Sequence, residues 1–404
     1  MQPVRAARRL LVVLIAGVVF PAHGATSEAP ATTLSASAST TAAATTTMPY
    51  ITARDGDLYR GAERFRVFGV QNLEHRFERA FYTVGYPLHR EGMAARVRAV
   101  RAFGANTLRI HLQLFDFVQR DEHGELSARE RAFDNLDFLL RTAEREHLYL
   151  LVSGNNVWFA DDVPAWYDAL PNRERWEVQA FFFGELARRA ADSPAVLAYE
   201  LVSEPSLSYK PDEQWYRGSL AGYTFAQTMA RGVDPEAGAR TAREWIERLT
   251  AAIRNHDQRH LITFGAMGGY YDGPFGVSNT APLLDLFSPH VYPRLNDPGY
   301  TRRVIARWTA AGLPVVVGET HLAHSSEAMF RAFIEEAAPQ VDGIISFYYG
   351  TGDDTVPIDR EHVVPFVLDL HTLNRRVFGS LRELVLEGGP LSPQVPERAA
   401  ANTP

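Results

Sequence analysis

The chain has 404 residues, a formal charge of −7 and 46% hydrophobic residues, with no cysteine and a single lysine, Lys210. Disulfides, thiol nucleophiles, thiolate metal sites and iron–sulfur clusters are therefore excluded, and a lysine Schiff base has one candidate, in a polar stretch. With 41 basic and 48 acidic residues and no basic run, nucleic acid is not an expected partner.

Residues 1–24 have the three zones of a secretory signal peptide: Arg5, Arg8 and Arg9, an apolar run from Leu10 to Phe20, and small residues around Pro21-Ala22-His23-Gly24-Ala25. That apolar run is too short to cross a bilayer, and no cysteine stands at the cleavage site for lipid attachment. The mature chain is expected to have no membrane span and to be secreted or periplasmic. Loss of the three arginines takes its charge from −7 to −10. Residues 25–48 are almost all Ala, Thr and Ser, a composition that reads as a flexible linker, and residues 388–404 read as a flexible tail. Residues 49–387 lie between them as one catalytic domain, expected to be monomeric and within the size of a large barrel.

The segment Tyr50–Tyr59, with Asp55-Gly56 at its turn, predicts a β-hairpin plugging a barrel floor. Short apolar runs then alternate with amphipathic helical stretches, the pattern of parallel strands joined by helices. The runs predict strands at Arg66–Gln71, Thr107–Leu112, Leu148–Ser153, Val196–Val202, Leu261–Gly265, Leu286–Tyr292, Val315–Glu319 and Ile344–Tyr348. These eight strands imply an α/β fold, a closed (β/α)8 TIM barrel with a short N-terminal β-hairpin and a long insertion, Ser206–Arg240, after strand four. Ser127 with Glu130, and Thr241 with Glu244, fit capping boxes, and Trp245, Leu249 and Ala252 mark a packing face. An open doubly wound sheet is the alternative, but Val70-Gln71-Asn72-Leu73-Glu74-His75 stands where a glycine-rich phosphate loop would follow strand one. No nucleotide cofactor is expected.

In such a barrel the reacting groups come from the C-terminal ends of strands. Polar residues recur there: Arg109 and His111 on strand two, Glu200, Ser203 and Glu204 on strand four, His290 and Tyr292 on strand six, Glu319 and His321 on strand seven. Glu204 and Glu319 are far apart in sequence, yet strands four and seven direct both into one mouth. Paired carboxylates suit glycoside hydrolysis, where one delivers a proton to the leaving group and the other meets the oxocarbenium-like transition state.

The segment Tyr199-Glu200-Leu201-Val202-Ser203-Glu204-Pro205 resembles the strand-four motif of clan A glycoside hydrolases, particularly family 5, the cellulases and β-mannanases. Val315-Val316-Val317-Gly318-Glu319 resembles their strand-seven motif. Gly104-Ala105-Asn106-Thr107-Leu108-Arg109-Ile110, Arg259-His260-Leu261-Ile262-Thr263 and Pro289-His290-Val291-Tyr292 match in the same order, so the resemblance spans roughly Phe65 to Tyr349. It implies Glu204 as general acid then base, Glu319 as nucleophile, and Arg109 as the group that hydrogen-bonds the nucleophile and holds it ionised. Tyr292 is placed to donate to Glu319, and His290 to touch substrate or Glu204. The chain departs from the family at Ser203, where asparagine is usual, at Gly154-Asn155-Asn156, where many relatives carry histidine, and at Phe347-Tyr348-Tyr349, where tryptophan is common.

Rival readings attach to several of these residues. Glu200 lies deeper than Glu204 and is expected to pair within the barrel, with the acid role as its alternative; Arg109 has a structural ion pair as its alternative. His111, His321 and His324 are expected supports, and with His290 they raise the rival of a metal-dependent hydrolase, which lacks a His-x-His pair on strand one. A non-catalytic carbohydrate-binding barrel is the other rival, disfavoured by the paired glutamates. Sugar rings stack on aromatic faces. Trp158, Trp166 and Tyr167, then Tyr209, Trp215, Tyr216, Tyr223 and Phe225, then Tyr270 and Tyr271 are candidate platforms. Trp158 leads, with Asn155 and Asn156 beside it as polar partners and Tyr349 as a further contact. The expected activity is a retaining β-glycosidase without metal or cofactor, acting on oligo- or polysaccharide, a neutral β-mannan or β-glucan foremost.

Overall fold

The computed structural model describes residues 48–72, 90–157, 160–217, 224, 226–297, 299–347, 349 and 365–388. Eight parallel strands close into a barrel: β1 (Val67–Asn72), β2 (Thr107–Gln113), β3 (Tyr149–Asn156), β4 (Val196–Ser203), β5 (Leu261–Met267), β6 (Ser288–His290), β7 (Val316–Thr320) and β8 (Gly343–Ser346), with β8 pairing back to β1. All eight expected strands are present. β2, β3 and β4 are buried along their whole length. A parallel strand covered by helices on one face and by the barrel interior on the other has no solvent side, which is why these strands read as continuous runs rather than as alternation.

Helices α1 (Arg90–Ala102), α2 (Glu130–Arg145), α3 (Asn172–Ala190), α4 (Gly238–Arg254), α5 (Val277–Thr280), α6 (Tyr300–Thr309), α7 (Glu327–Ala337) and α8 (Pro365–Gly379) follow the strands in turn. Trp245 and Leu249 are fully buried and Ala252 partly so, as the α4 pattern predicts. The Trp245 indole N–H donates to Gln179 Oε1 of α3 at 2.7 Å, so the largest side chain in that interface leaves no polar atom unsatisfied.

Both expected capping boxes are overturned. Ser127 lies in a short strand, Leu126–Ala128, paired antiparallel with Val118–Arg120; α2 begins only after Arg129. Thr241 lies inside α4, whose approach is a 3-10 turn, Pro235–Ala237, capped by the Asp234 carboxylate accepting from Glu236 N at 2.9 Å. In each case the real start is displaced by a local element that the four-residue motif does not encode, a β-ladder in one and a proline-led turn in the other.

The predicted hairpin pairs Ile51–Arg54 with Asp57–Arg60, and Glu63–Arg64 adds a third strand. Its turn residues Asp55 and Gly56 both have positive φ, 52° and 80°, the backbone of a two-residue hairpin turn that glycine and aspartate tolerate. Buried Ile51 and Leu58, with Phe65 edge-on to Tyr149 at the start of β3, seat the hairpin under the N-terminal ends of the strands. The C-terminal ends of the strands form the opposite mouth of the barrel. There the insertion after β4 forms a small sheet of Pro205–Leu207, Ala226–Ala230 and Tyr216–Arg217, with Ala226–Ala230 in the middle. Among the described residues no helix is long and apolar enough to cross a membrane.

Candidate active site

The upper interior of the barrel is polar, and Arg109 is its centre. From β2 this fully buried guanidinium reaches four neighbouring strands. Its Nε and Nη2 grip Glu200 of β4, with 2.5 Å between Nη2 and Oε1. Nη1 donates to Gln71 Oε1 of β1 at 2.5 Å and to Glu319 Oε2 of β7 at 2.7 Å. Nη2 also lies 3.4 Å from Ser203 Oγ and 3.1 Å from His290 Nε2 of β6. A planar fork of five donors in a fully buried position orients several partners at once, which a lysine ammonium could not match.

Irregular strand ends place the two glutamates at the mouth. Glu200 faces Thr263 of β5, but Ser203 faces Gly265, so three steps along β4 match two along β5. This bulge turns Ser203 to the inner face beside Glu200. Glu204 follows with φ 53°, a left-handed conformation that costs a non-glycine residue about 1–3 kcal/mol, held by its N–H donating to Gly265 O at 2.8 Å. On β7, Glu319 lies level with His290 of β6. The side chains of Glu204 and Glu319 are 17% and 13% exposed, whereas those of Glu200 and Arg109 are sealed. A substrate entering the mouth thus meets Glu204 and Glu319 and not Glu200.

His290 Nδ1 is 2.9 Å from Glu204 Oε1 and 3.9 Å from Glu319 Oε2. The Tyr292 hydroxyl donates to Glu319 Oε1. Burial alone would raise the Glu319 carboxyl; His290 when protonated and Arg109, with hydrogen bonds from Tyr292 and Arg109, outweigh it and hold Glu319 below the ordinary carboxylate range. Burial and the adjacent Glu319 charge push the Tyr292 phenol well above its usual value, so it remains a donor.

Ligand atoms of Glu204, His290 and Glu319 lie within 4.8 Å of one another, the set among the described residues that could hold a metal ion. A cation there would sit beside the Arg109 guanidinium, 2.7 Å from Glu319, and be repelled by it. The other histidines do not converge on this point: His321 Nδ1 accepts from Ala323 N at 2.8 Å and caps a 3-10 turn, while His111 is buried in β2. The His324 side chain lies outside the described residues.

Of the expected site residues, the structure brings together Glu204, Glu319, Arg109, Ser203, His290 and Tyr292. Asn155 is buried at the end of β3 with φ 56°, and its Nδ2 has no partner among the described residues. Tyr349 is turned into the helix layer, its hydroxyl donating to Ala99 O of α1 at 3.3 Å and its ring edge-on to Phe103. Trp158, Tyr223 and Phe225 lie outside the described residues.

Three expected aromatic platforms are packing residues instead. Trp215, Tyr216 and Tyr167 are buried, in a column where Arg231 and Arg175 stack on Trp215, each 3.8 Å from the ring centre, and Arg175 also stacks on Tyr167 at 3.8 Å. An arginine plane shields an aromatic face as completely as a sugar would. Tyr209 and Tyr270 are exposed, after β4 and β5.

Gln71, Ser288 and Gly265 were not anticipated. Gln71 receives Arg109, and Ser288 Oγ donates to Glu200 Oε2 at 3.3 Å. Gln71 had a readable signal, an amide closing the apolar run Val67–Val70; the contacts of Ser288 and Gly265 come from neighbouring strands and leave no trace in local sequence.

The model of the cellulase family, glycosyl hydrolase family 5, matches residues 71–346. A probable mannan endo-1,4-beta-mannosidase C from Aspergillus terreus is 31% identical over 121 residues, 27% of this chain and 26% of that protein. A mannan endo-1,4-beta-mannosidase A from Emericella nidulans is 21% identical over 289 residues, 64% of this chain and 67% of that protein. The chain spans 26% to 67% of the length of the curated relatives it matches. Among solved structures, the beta-mannanase of the blue mussel Mytilus edulis superposes with a TM-score of 0.59 at 13% identity, covering 85% of this chain and 99% of that one, a likeness of fold.

Proposed function

The chain belongs to glycosyl hydrolase family 5, the cellulase family, and from that premise we propose that it is a retaining β-glycosidase acting by double displacement. Glu319 is the nucleophile and Glu204 the acid/base. The observation that carries this reading is the pairing of the two mouth carboxylates, with oxygens within 4.8 Å of one another. An oxygen of each carboxylate within that distance suits direct attack, which uses carboxyls about 5 Å apart, better than the roughly 6.5–9.5 Å of inverting enzymes.

In the first step a Glu319 oxygen forms a bond to the anomeric carbon as the bond to the leaving oxygen breaks, and that oxygen takes the proton of Glu204. Arg109 and Tyr292 each donate to one Glu319 oxygen, so the carboxylate meets the ring ionised and in a fixed plane. In the second step Glu204, now a carboxylate, takes a proton from water; the water oxygen attacks the anomeric carbon and Glu319 leaves.

The substrate proposed is a neutral β-glycan, with β-1,4-mannan ahead of β-glucan because the named relatives act on mannan. We also propose that residues 1–24 direct export, that residues 25–48 tether a catalytic domain of residues 49–387, and that the mature protein works outside the cytoplasm as a monomer.

Defined manno-, gluco- and galacto-oligosaccharides incubated with the wild-type chain, with products followed by proton NMR, test the reading. The β-anomer should form first, from mannosides above the others. First appearance of the α-anomer would overturn retention. Glu319→Ala should abolish turnover; full activity in that variant would refute its assignment as nucleophile.

A further inference from the structure

We infer that Arg217 is a specificity-determining residue of the proposed cleft, and that it takes a carboxylate carried by the glycan, so that the substrate is a β-mannan or β-glucan bearing an acidic substituent. This rests on the proposed hydrolase reading and narrows its substrate, from a neutral main chain alone to one with a uronic or similar acid group on it.

Arg217 ends one edge strand of the sheet built by the insertion after β4, where it faces Ala226 of the middle strand. The preceding Tyr216 turns its hydroxyl to Arg175 and Asp168 in the buried column. Side chains alternate along a strand, so Arg217 projects from the other face. It crosses the middle strand, and its Nη2 donates to Ser206 Oγ on the opposite edge. Ser206 is two residues beyond Glu204, a reach of at most about 7 Å along the chain. The guanidinium therefore stands beside the mouth that holds Glu204.

What it lacks is a counter-charge. Arg175 and Arg231 both stack on Trp215; Arg175 also pairs with Asp168 at 3.2 Å, and Arg231 donates to Glu213 O at 2.8 Å. Among the described residues Arg217 has one acceptor, a serine hydroxyl, for its five N–H donors. Ser206 Oγ gives its own hydrogen to Gln227 O at 3.0 Å, which turns its lone pair to the guanidinium and fixes it. Nε is buried without a partner, and Nη1 is neither buried nor bonded among the described residues. The residues that follow, 218–225, contain no aspartate or glutamate.

A cation that has given up water on one side and met no anion gains more from an anion than a fully hydrated one does. The guanidinium offers donors only. A sugar hydroxyl, donor and acceptor at once, uses it poorly; a carboxylate offers acceptors only, in a plane that fits Nη1 and the second hydrogen of Nη2. The charge of −10 expected of the mature chain does not oppose this, because charges farther off than about 8 Å are screened at physiological salt.

The test is binding to the full chain carrying Glu319→Ala, measured by isothermal titration calorimetry. The probes are mannohexaose and cellohexaose, each compared with a set in which one residue, at every position in turn, is oxidised to the uronic acid. In at least one series an oxidised form should bind about tenfold more tightly than the neutral one, and the advantage should shrink as salt is raised. Adding Arg217→Gln should abolish it, and adding Ser206→Ala, which releases the guanidinium, should reduce it to about threefold. No advantage in either series, or one that survives in a folded Arg217→Gln, would overturn the inference. Should Arg217→Gln fail to fold, an undiminished advantage in Ser206→Ala would overturn it instead.

Turnover is read separately on the wild type. Cleavage of a neutral hexaose with no carboxylate advantage in binding leaves the hydrolase reading standing and sinks this one. Arg217-dependent binding with no cleavage of any glycoside sinks the hydrolase reading and leaves the carboxylate site.

Discussion

At the residue scale the site is an electrostatic arrangement around one buried cation. Glu200 and Glu319 both pair with Arg109, but only Glu319 is reached from the mouth. Glu200 therefore works inside the barrel, holding the guanidinium in the plane that serves Glu319 and His290. Removing one partner of a buried pair leaves the other charge uncompensated, at about 3–5 kcal/mol. Glu200→Ala is expected to lose stability on that scale in chemical denaturation, and Glu319→Ala to lose less, because water enters where Glu319 stood. The low position of the Glu319 carboxyl fixes the acid side of the pH profile. In its proposed role as nucleophile Glu319 must be ionised, so the acid limb of kcat/KM should fall below the ordinary glutamate value of about 4.3. Tyr292→Phe removes one donor to the charged form and should move that limb to higher pH. An unmoved limb would separate Tyr292 from the ionisation of Glu319.

At the element scale, bulges and loops decide what the strands deliver. The β4 bulge and the left-handed backbone of Glu204 aim its carboxylate into the mouth, so strict inward–outward alternation holds only for the regular part of the strand. The helix starts give a direct comparison. Asp234→Ala should cost about 1 kcal/mol in thermal or chemical denaturation, as loss of a cap does. Thr241→Ala should cost close to nothing, since Thr241 is inside α4 and caps no terminus. An equal cost at both sites would restore the capping box. The insertion is anchored by the Arg231–Trp215–Arg175–Tyr167 column, which leaves Tyr209 and Tyr270 as the exposed candidates among the described residues for a proposed sugar platform. Tyr270→Ala should raise KM for a hexasaccharide by about tenfold, the scale of one aromatic contact, and leave an aryl monoglycoside unchanged. Equal KM values for both would remove Tyr270 from the cleft.

At the scale of the whole molecule, the barrel divides into a catalytic mouth and a stabilising floor. Beneath β5, Asp257 accepts from the Tyr199 hydroxyl at 2.8 Å and pairs with His260 Nδ1 at 2.5 Å, while His260 Nε2 faces Ser193 O at 3.0 Å. Burial opposes ionisation of Asp257, but His260 and the backbone N–H groups of Arg259 and His260 outweigh it and hold the carboxyl well below its usual value. A depressed carboxyl contributes stability that is complete above the unfolded value, about 3.9, and lost as pH falls through the folded value. Asp257→Asn should thus be less stable than the wild type at pH 7, and the two should converge as pH falls below about 4 in denaturation midpoints. Parallel curves would assign the acid response to other groups. The hairpin under the floor buries Ile51 and Leu58. Deleting residues 1–47 is therefore expected to leave stability and turnover intact, and extending the deletion through residue 64 to destabilise the barrel.

The amino-acid sequence by itself determined the eight strands, their order, the floor hairpin and the residue types at the mouth. Burial on both faces forces continuous apolar runs, and a polar residue closing such a run stands out. Arg109, Glu204, Glu319, His290 and Tyr292 were legible for that reason. What only the tertiary structure decided was which of these groups touch. The five-way engagement of Arg109, the retreat of Glu200 and the burial of Trp215 and Tyr216 all arise between strands or loops distant in sequence, where register and bulges set distances that no local pattern records.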